Sequence, residues 1–117
     1  IEDEPAFLRI MKKWLEYKGF QVITASNGLD GLSTARNENP DLIILDIMLP
    51  GLDGLKVCRM IKADSKLREI PVAMLTSRDL DSDEETARKC GANAFIVKTT
   101  RKEIIVEVIQ DLLNDNS

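Results

Sequence analysis

The chain has 117 residues, 44% apolar and 31% charged, the length and composition of one soluble domain with a single core. Its net charge of −4 argues against a nucleic-acid surface, and no apolar run nears the length of a membrane-spanning helix. It has no histidine, which excludes histidine-based metal sites and triads, while Cys58 and Cys90 lack CxxC spacing and suit a reducing cytosol.

Ile1 reads as the last residue of a strand, followed by the acidic turn Glu2-Asp3-Glu4. Pro5 suits the first turn of a helix running to about Lys18, with Phe7, Ile10, Met11 and Trp14 on its apolar stripe and Gly19 ending it. Phe20 to Ala25 reads as a short strand, and Ser26-Asn27-Gly28 as a turn and N-cap. The helix beyond it carries Leu29, Leu32 and Ala35 and stops at Asn39-Pro40. Leu42 to Leu45 is apolar without polar alternation, the pattern of a strand buried on both faces of a parallel sheet. It delivers Asp46 to its C-terminal end, and a loop containing Pro50 and Gly51 breaks the pattern.

A third helix follows Gly54, with Leu55, Cys58 and Ile61. After a polar loop from Ser65 to Glu69, Val72 to Leu75 forms the next strand and Thr76-Ser77 emerges at its tip. Arg78 to Asp83 is a charged loop. The helix from about Asp83 to Cys90 has only Thr86, Ala87 and Cys90 to bury, so it is weakly anchored, and Gly91 caps it. Ala94 to Val97 is a strand ending in Lys98. The last helix, from about Lys102 to Asn114, buries Ile104, Ile105, Val108, Ile109 and Leu112, leaving Val106 and Leu113 as candidates for a partner surface. Strands alternating with helices predict an α/β fold with a doubly wound parallel sheet and right-handed crossovers.

In such sheets ligands bind at the carboxyl ends of the strands. Here those ends carry Glu2, Asp3, Asp46, Thr76 and Lys98. Three crowded carboxylates repel one another and favour a bound cation, and Mg²⁺ suits an all-oxygen, partly hydrated site shared with a phosphate. A carboxylate nucleophile, a divalent cation, a lysine and a hydroxyl are parts that suit in-line phosphoryl transfer.

Four stretches carry a family resemblance: Glu2-Asp3-Glu4-Pro5, Leu42 to Gly54 (LIILDIMLPGLDG), Pro71 to Ser77 (PVAMLTS) and Gly91 to Lys98 (GANAFIVK). Together they resemble the receiver domain of the two-component response regulators over essentially residues 1–117, taken as one domain. The resemblance implies a flavodoxin-like, doubly wound, five-stranded parallel sheet flanked by five helices, with the first strand reduced to Ile1. It implies that Asp46 accepts the phosphoryl group and that Asp3, Asp46 and the Met48 backbone carbonyl bind Mg²⁺, with Glu2 acting through water. Thr76 and Lys98 would hold phosphoryl oxygens, and Phe95 would be the switch aromatic. The implied partners are a sensor histidine kinase or phosphotransfer protein and an output domain or protein target, through the fourth helix, fifth strand and fifth helix. A phosphorylation-dependent homodimer is a further implied state. Nucleic acid and membrane are not expected as partners of this domain. The resemblance also implies a cytoplasmic phosphoacceptor rather than a turnover enzyme.

The chain departs from the family pattern in having Thr99 where a proline usually follows the lysine, and Asn93 and Ala94 where acidic residues often precede the aromatic. The alternative function is an inert pseudo-receiver acting as an interaction module, which would be expected to lack part of the acidic set or Lys98. A flavodoxin would need a hydroxyl- and glycine-rich phosphate loop at the acidic turn, and a haloacid dehalogenase-type phosphatase a second aspartate in place of Met48.

Overall fold

The computed structural model describes residues 1–77 and 81–115. Its elements run in the order α1 (Pro5–Tyr17), α2 (Gly28–Glu38), β1 (Ile43–Asp46), α3 (Gly54–Ala63), β2 (Val72–Thr76), α4 (Asp81–Lys89), β3 (Ala94–Val97) and α5 (Lys102–Asp115). Among the described residues the sheet has three parallel strands in the order β1-β2-β3. Asp46 lies opposite Leu75, and Thr76 opposite Val97.

Alternation along the strands feeds two cores, one on each face, as a doubly wound sheet requires. Ile43, Leu45, Val72 and Met74 pack with Leu32, Ala35, Val57, Cys58, Ile61, Ala87 and Cys90 of the α2, α3 and α4 side. Ala73, Leu75 and Ile96 pack with Met11, Leu15, Ile105, Val106 and Ile109 of α1 and α5. All five residues of β2 are buried, so it is the innermost strand. The helix boundaries follow local chemistry. Pro5 opens α1, the Asn27 and Asp53 side chains cap α2 and α3, and Gly19 and Gly91 turn the chain at φ +97°.

Several expectations are corrected. Phe20 to Ala25 forms no ladder-paired strand. Its link to the rest of the sheet is Ile1-Glu2, which lies between it and β1. The Ile1 nitrogen donates to the Ile44 carbonyl at 2.7 Å, Asp46 N–H to the Ile1 carbonyl at 3.0 Å, and Glu2 N–H to the Ala25 carbonyl at 3.0 Å. Phe20 to Ala25 and Pro40 to Ile44, with Met11, Leu15 and Ala35, line a groove of about 490 Å³ beside Ile1 and Glu2. Ile10, Leu29 and Ile104 were expected to be buried but are exposed, while Val106, offered as a partner contact, is buried and Leu113 is half-buried against the same core. Helical spacing permits either neighbour of a stripe to face inward, and packing against the sheet selects 105, 106 and 109. The α4 helix begins at Asp81, earlier than expected, and the start of the charged loop expected from Arg78 lies outside the described residues.

Candidate functional site

Three strand ends and the turn after Ile1 meet at one edge of the sheet. Asp46 is the last residue of β1 and Thr76 the last of β2; they are 2% and 0% exposed. Lys98 follows β3 directly, and its N–H donates to the Thr76 carbonyl at 2.7 Å, extending the β2–β3 ladder into the site. The next turn is closed by Thr100 N–H donating to the Val97 carbonyl at 2.9 Å, with Thr99 in the place of the family proline. On the β1 side, Gly54 N–H donates to the Ile47 carbonyl, which folds the loop after Asp46 back on itself. A Cβ at position 54 would overlap the Asp46 carbonyl oxygen, so only glycine permits this return.

The Asp46 carboxylate has a partner at each oxygen. Met48 N–H donates to Oδ1 at 3.0 Å and Lys98 Nζ to Oδ2 at 3.2 Å. The same ammonium donates to Glu2 Oε1 at 2.7 Å. Glu2 Oε2 is buried and has no hydrogen-bond partner. One carboxylate oxygen each from Glu2, Asp3 and Asp46 lies within 4.8 Å of the others, with Asp3 exposed at the rim. These donors fit a small, hard divalent cation, and the partnerless Glu2 oxygen supports that fit. Asp3 and Met48 also line one shallow pocket beside the loop from Ile47 to Pro50. Phe95 is half-buried on β3 opposite Met74, against the core of the α2, α3 and α4 side.

The expected site residues Glu2, Asp3, Asp46, Thr76 and Lys98 are thus brought to one edge, with Met48 bonded to Asp46 through its N–H. Sequence reasoning placed Phe7 on the core stripe and missed its second contact. The Lys98 Nζ sits 4.7 Å from the centre of the Phe7 ring. The available signal was an aromatic four residues after Asp3 on the helix leaving the acidic turn.

A family model described as the response regulator receiver domain matches residues 1–110. The chain belongs to this family. It is 36% identical over 115 residues to the polar-differentiation response regulator DivK of Brucella anthropi, covering 98% of this chain and 94% of that one. It is similar to the signal receiver domain of a signal transduction histidine kinase from Syntrophus aciditrophicus, with a TM-score of 0.90, 33% identity and coverage of 98% of this chain and 87% of that one. The receiver domain of a sensor histidine kinase from Pseudomonas aeruginosa, solved with a magnesium ion coordinated in its active site cleft, matches with a TM-score of 0.90 at 26% identity, covering 97% of this chain and 93% of that one. The fold is the flavodoxin-like, doubly wound arrangement of these receivers.

The electrostatics are those of crowded carboxylates around one lysine. Burial first, and Asp46 second, push Glu2 up from 4.5 to about 7, with Lys98 pulling the other way. Burial opposes the Lys98 charge, but Glu2 and Asp46 outweigh it and raise its pKa. Because native Glu2 sits above its unfolded value, the native state holds more protons between about pH 4.5 and 7, and its contribution to stability is lost as pH rises through that window. Without divalent cations, the wild type is therefore expected to lose melting temperature across that window relative to Glu2→Gln. Parallel profiles would show that Glu2 does not titrate there.

Proposed function

We propose that residues 1–117 act as one phosphoacceptor receiver domain, with Asp46 as the nucleophile. The observation that carries this reading is the Asp46 carboxylate itself: buried at a strand end, bonded to Lys98 and clustered with Glu2 and Asp3. An oxygen of Asp46 attacks the phosphorus of a phosphohistidine on a sensor histidine kinase or phosphotransfer protein. The P–N bond breaks and its electron pair leaves with the imidazole, so a full phosphoryl group passes to the carboxylate. Lys98 balances charge on the incoming oxygens, and Thr76 offers them a hydroxyl donor. Asp3, Asp46 and the Met48 carbonyl would hold Mg²⁺, with Glu2 acting through water. When bound, the ion would supply charge neutralisation for the transferred group. The domain is a phosphoacceptor that is consumed and regenerated, rather than a turnover enzyme.

Output follows from the uneven anchoring of the helices. Ala87 is the buried side chain of α4 among its described residues, and its charged face carries the exposed pairs Arg88 with Glu84 and Lys89 with Glu85. Such a helix is moved by a small bias. Thr76 shifts toward the phosphoryl oxygens, Phe95 turns into the space released, and the face of α4, β3 and α5 changes for an output domain or target.

With acetyl phosphate and Mg²⁺, the wild type is expected to gain one phosphoryl mass and Asp46→Asn none, read by intact mass. Labelling of the mutant would move the acceptor elsewhere, and an unlabelled wild type would leave an interaction module. Mg²⁺ at about 100 times its Kd should stabilise the native state by about 2.7 kcal/mol, and Asp3→Ala should reduce that shift.

Thr76→Ala is expected to keep Asp46 labelling, because nucleophile and lysine remain, yet to lose much of the change in hydrogen exchange on phosphorylation between Ser77 and Val97. A full wild-type exchange response in that mutant would remove Thr76 as the relay.

A further inference from the structure

We infer that Phe7 is a positioning residue for Lys98, holding the ammonium beside the Asp46 carboxylate through the face of its ring. This rests on the phosphoacceptor reading above and adds a residue to it. Lysine ends in a compact charge on a flexible four-carbon stem, so something must fix where the charge sits. Here the Lys98 side chain is 13% exposed, and among the described residues its Nζ meets Glu2 Oε1 at 2.7 Å, Asp46 Oδ2 at 3.2 Å and the Phe7 ring centre at 4.7 Å. The stronger contact is with Glu2, which pulls the ammonium away from the acceptor. A carboxylate also occupies one of the three N–H donors. The ring behaves differently. It attracts the cation through its quadrupole without the fixed charge of a carboxylate, and it takes no part in the proton equilibrium of the site. An incoming phosphoryl oxygen can therefore accept the Lys98 N–H hydrogen bond now given to Glu2 while the ring keeps the ammonium in place.

The local sequence gives Phe7 this position. Pro5 starts α1 immediately after the acidic turn, which puts position 7 in the first turn of the helix. Its side chain is half-buried and packs against the α1 and α5 core, so the ring is braced while still meeting the lysine. Leucine at the same place would keep most of the apolar packing and lose the quadrupole, which separates positioning from a core role.

The test measures Asp46 phosphorylation over a range of acetyl phosphate concentrations at fixed Mg²⁺. Phe7→Leu is expected to slow the maximal labelling rate roughly three- to thirtyfold, the range of a partly desolvated cation–π contact, while leaving the Mg²⁺-dependent melting shift unchanged. Phe7→Tyr restores the ring face and is expected to restore the rate to within about twofold. In a Lys98→Ala background, Phe7→Leu should add no further slowing. NMR supplies a readout independent of labelling: the ring-current shift of the Lys98 ε-methylene should be present in the wild type and Phe7→Tyr and absent in Phe7→Leu. A leucine variant as fast as the wild type, a tyrosine variant as slow as leucine, or further slowing without Lys98 would each overturn the inference while the phosphoacceptor reading stands. A wild type that takes no label overturns that reading and this one with it.

Discussion

Glu2 and Asp46 bring two carboxylates to 4% and 2% exposure at one end of the sheet, and like charges buried together persist only with a cation between them. Lys98 is that cation, 2.7 Å from one and 3.2 Å from the other. The three groups come from positions 2, 46 and 98, so their meeting depends on the whole parallel register. A slip of one residue in β1 or β3 would turn Asp46 or Lys98 to the opposite face and leave the others buried without compensation. The ladder bond from Lys98 N–H to the Thr76 carbonyl, together with the glycine return at Gly54, holds the ends where the charges balance.

That balance is incomplete in a way that suits a cation-dependent acceptor. One Glu2 oxygen is buried without a partner, and burial first, with Asp46 beside it, raises the Glu2 pKa to about 7. A group in that condition gains more from an added positive charge than a solvated one, because little water remains to be displaced. The acidic turn therefore reads as an attraction for metal rather than a cap. Phe7 contributes to the same balance from outside the charge set, offering an apolar neighbour that still favours the lysine's ionised form.

Much of this was legible in the sequence because it depends on local rules. The unbroken run Leu42 to Leu45 marked a strand buried on both faces, and the polar residues at the strand ends marked the edge where chemistry sits. Asn27, Gly19 and Gly91 announced helix boundaries through capping and positive φ, whereas the Asp53 cap of α3 was not read from the sequence. What was not legible depends on partners distant in sequence. Whether Phe20 to Ala25 joins a ladder depends on what pairs beside it, which its own alternation cannot reveal. Ile104 and Val106 are equally apolar, and only the angle at which α5 meets the sheet buries the second and exposes the first. The Phe7 ring looked like core because it is core on one side; its contact with a lysine 91 positions later has no local signature.

The distribution of packing explains how one end of the molecule can be stiff while its neighbour responds. Strand β2 is buried at every residue and lies between β1 and β3, so the floor of the site is among the parts that open last. Thr76 ends that strand, inside the stiff region, while α4, reached a few residues later, contributes Ala87 as its buried side chain among those described. A displacement at Thr76 would meet firm resistance from the buried strand below it. Phe95 lies between these regimes, half-buried on β3 against the core that α4 closes. Under the proposed switch, a bulky half-buried ring there would move between discrete positions, and a weakly held helix beside it would take up the difference. The same sequence that charges α4 so heavily thus sets where a chemical change at Asp46 would be felt.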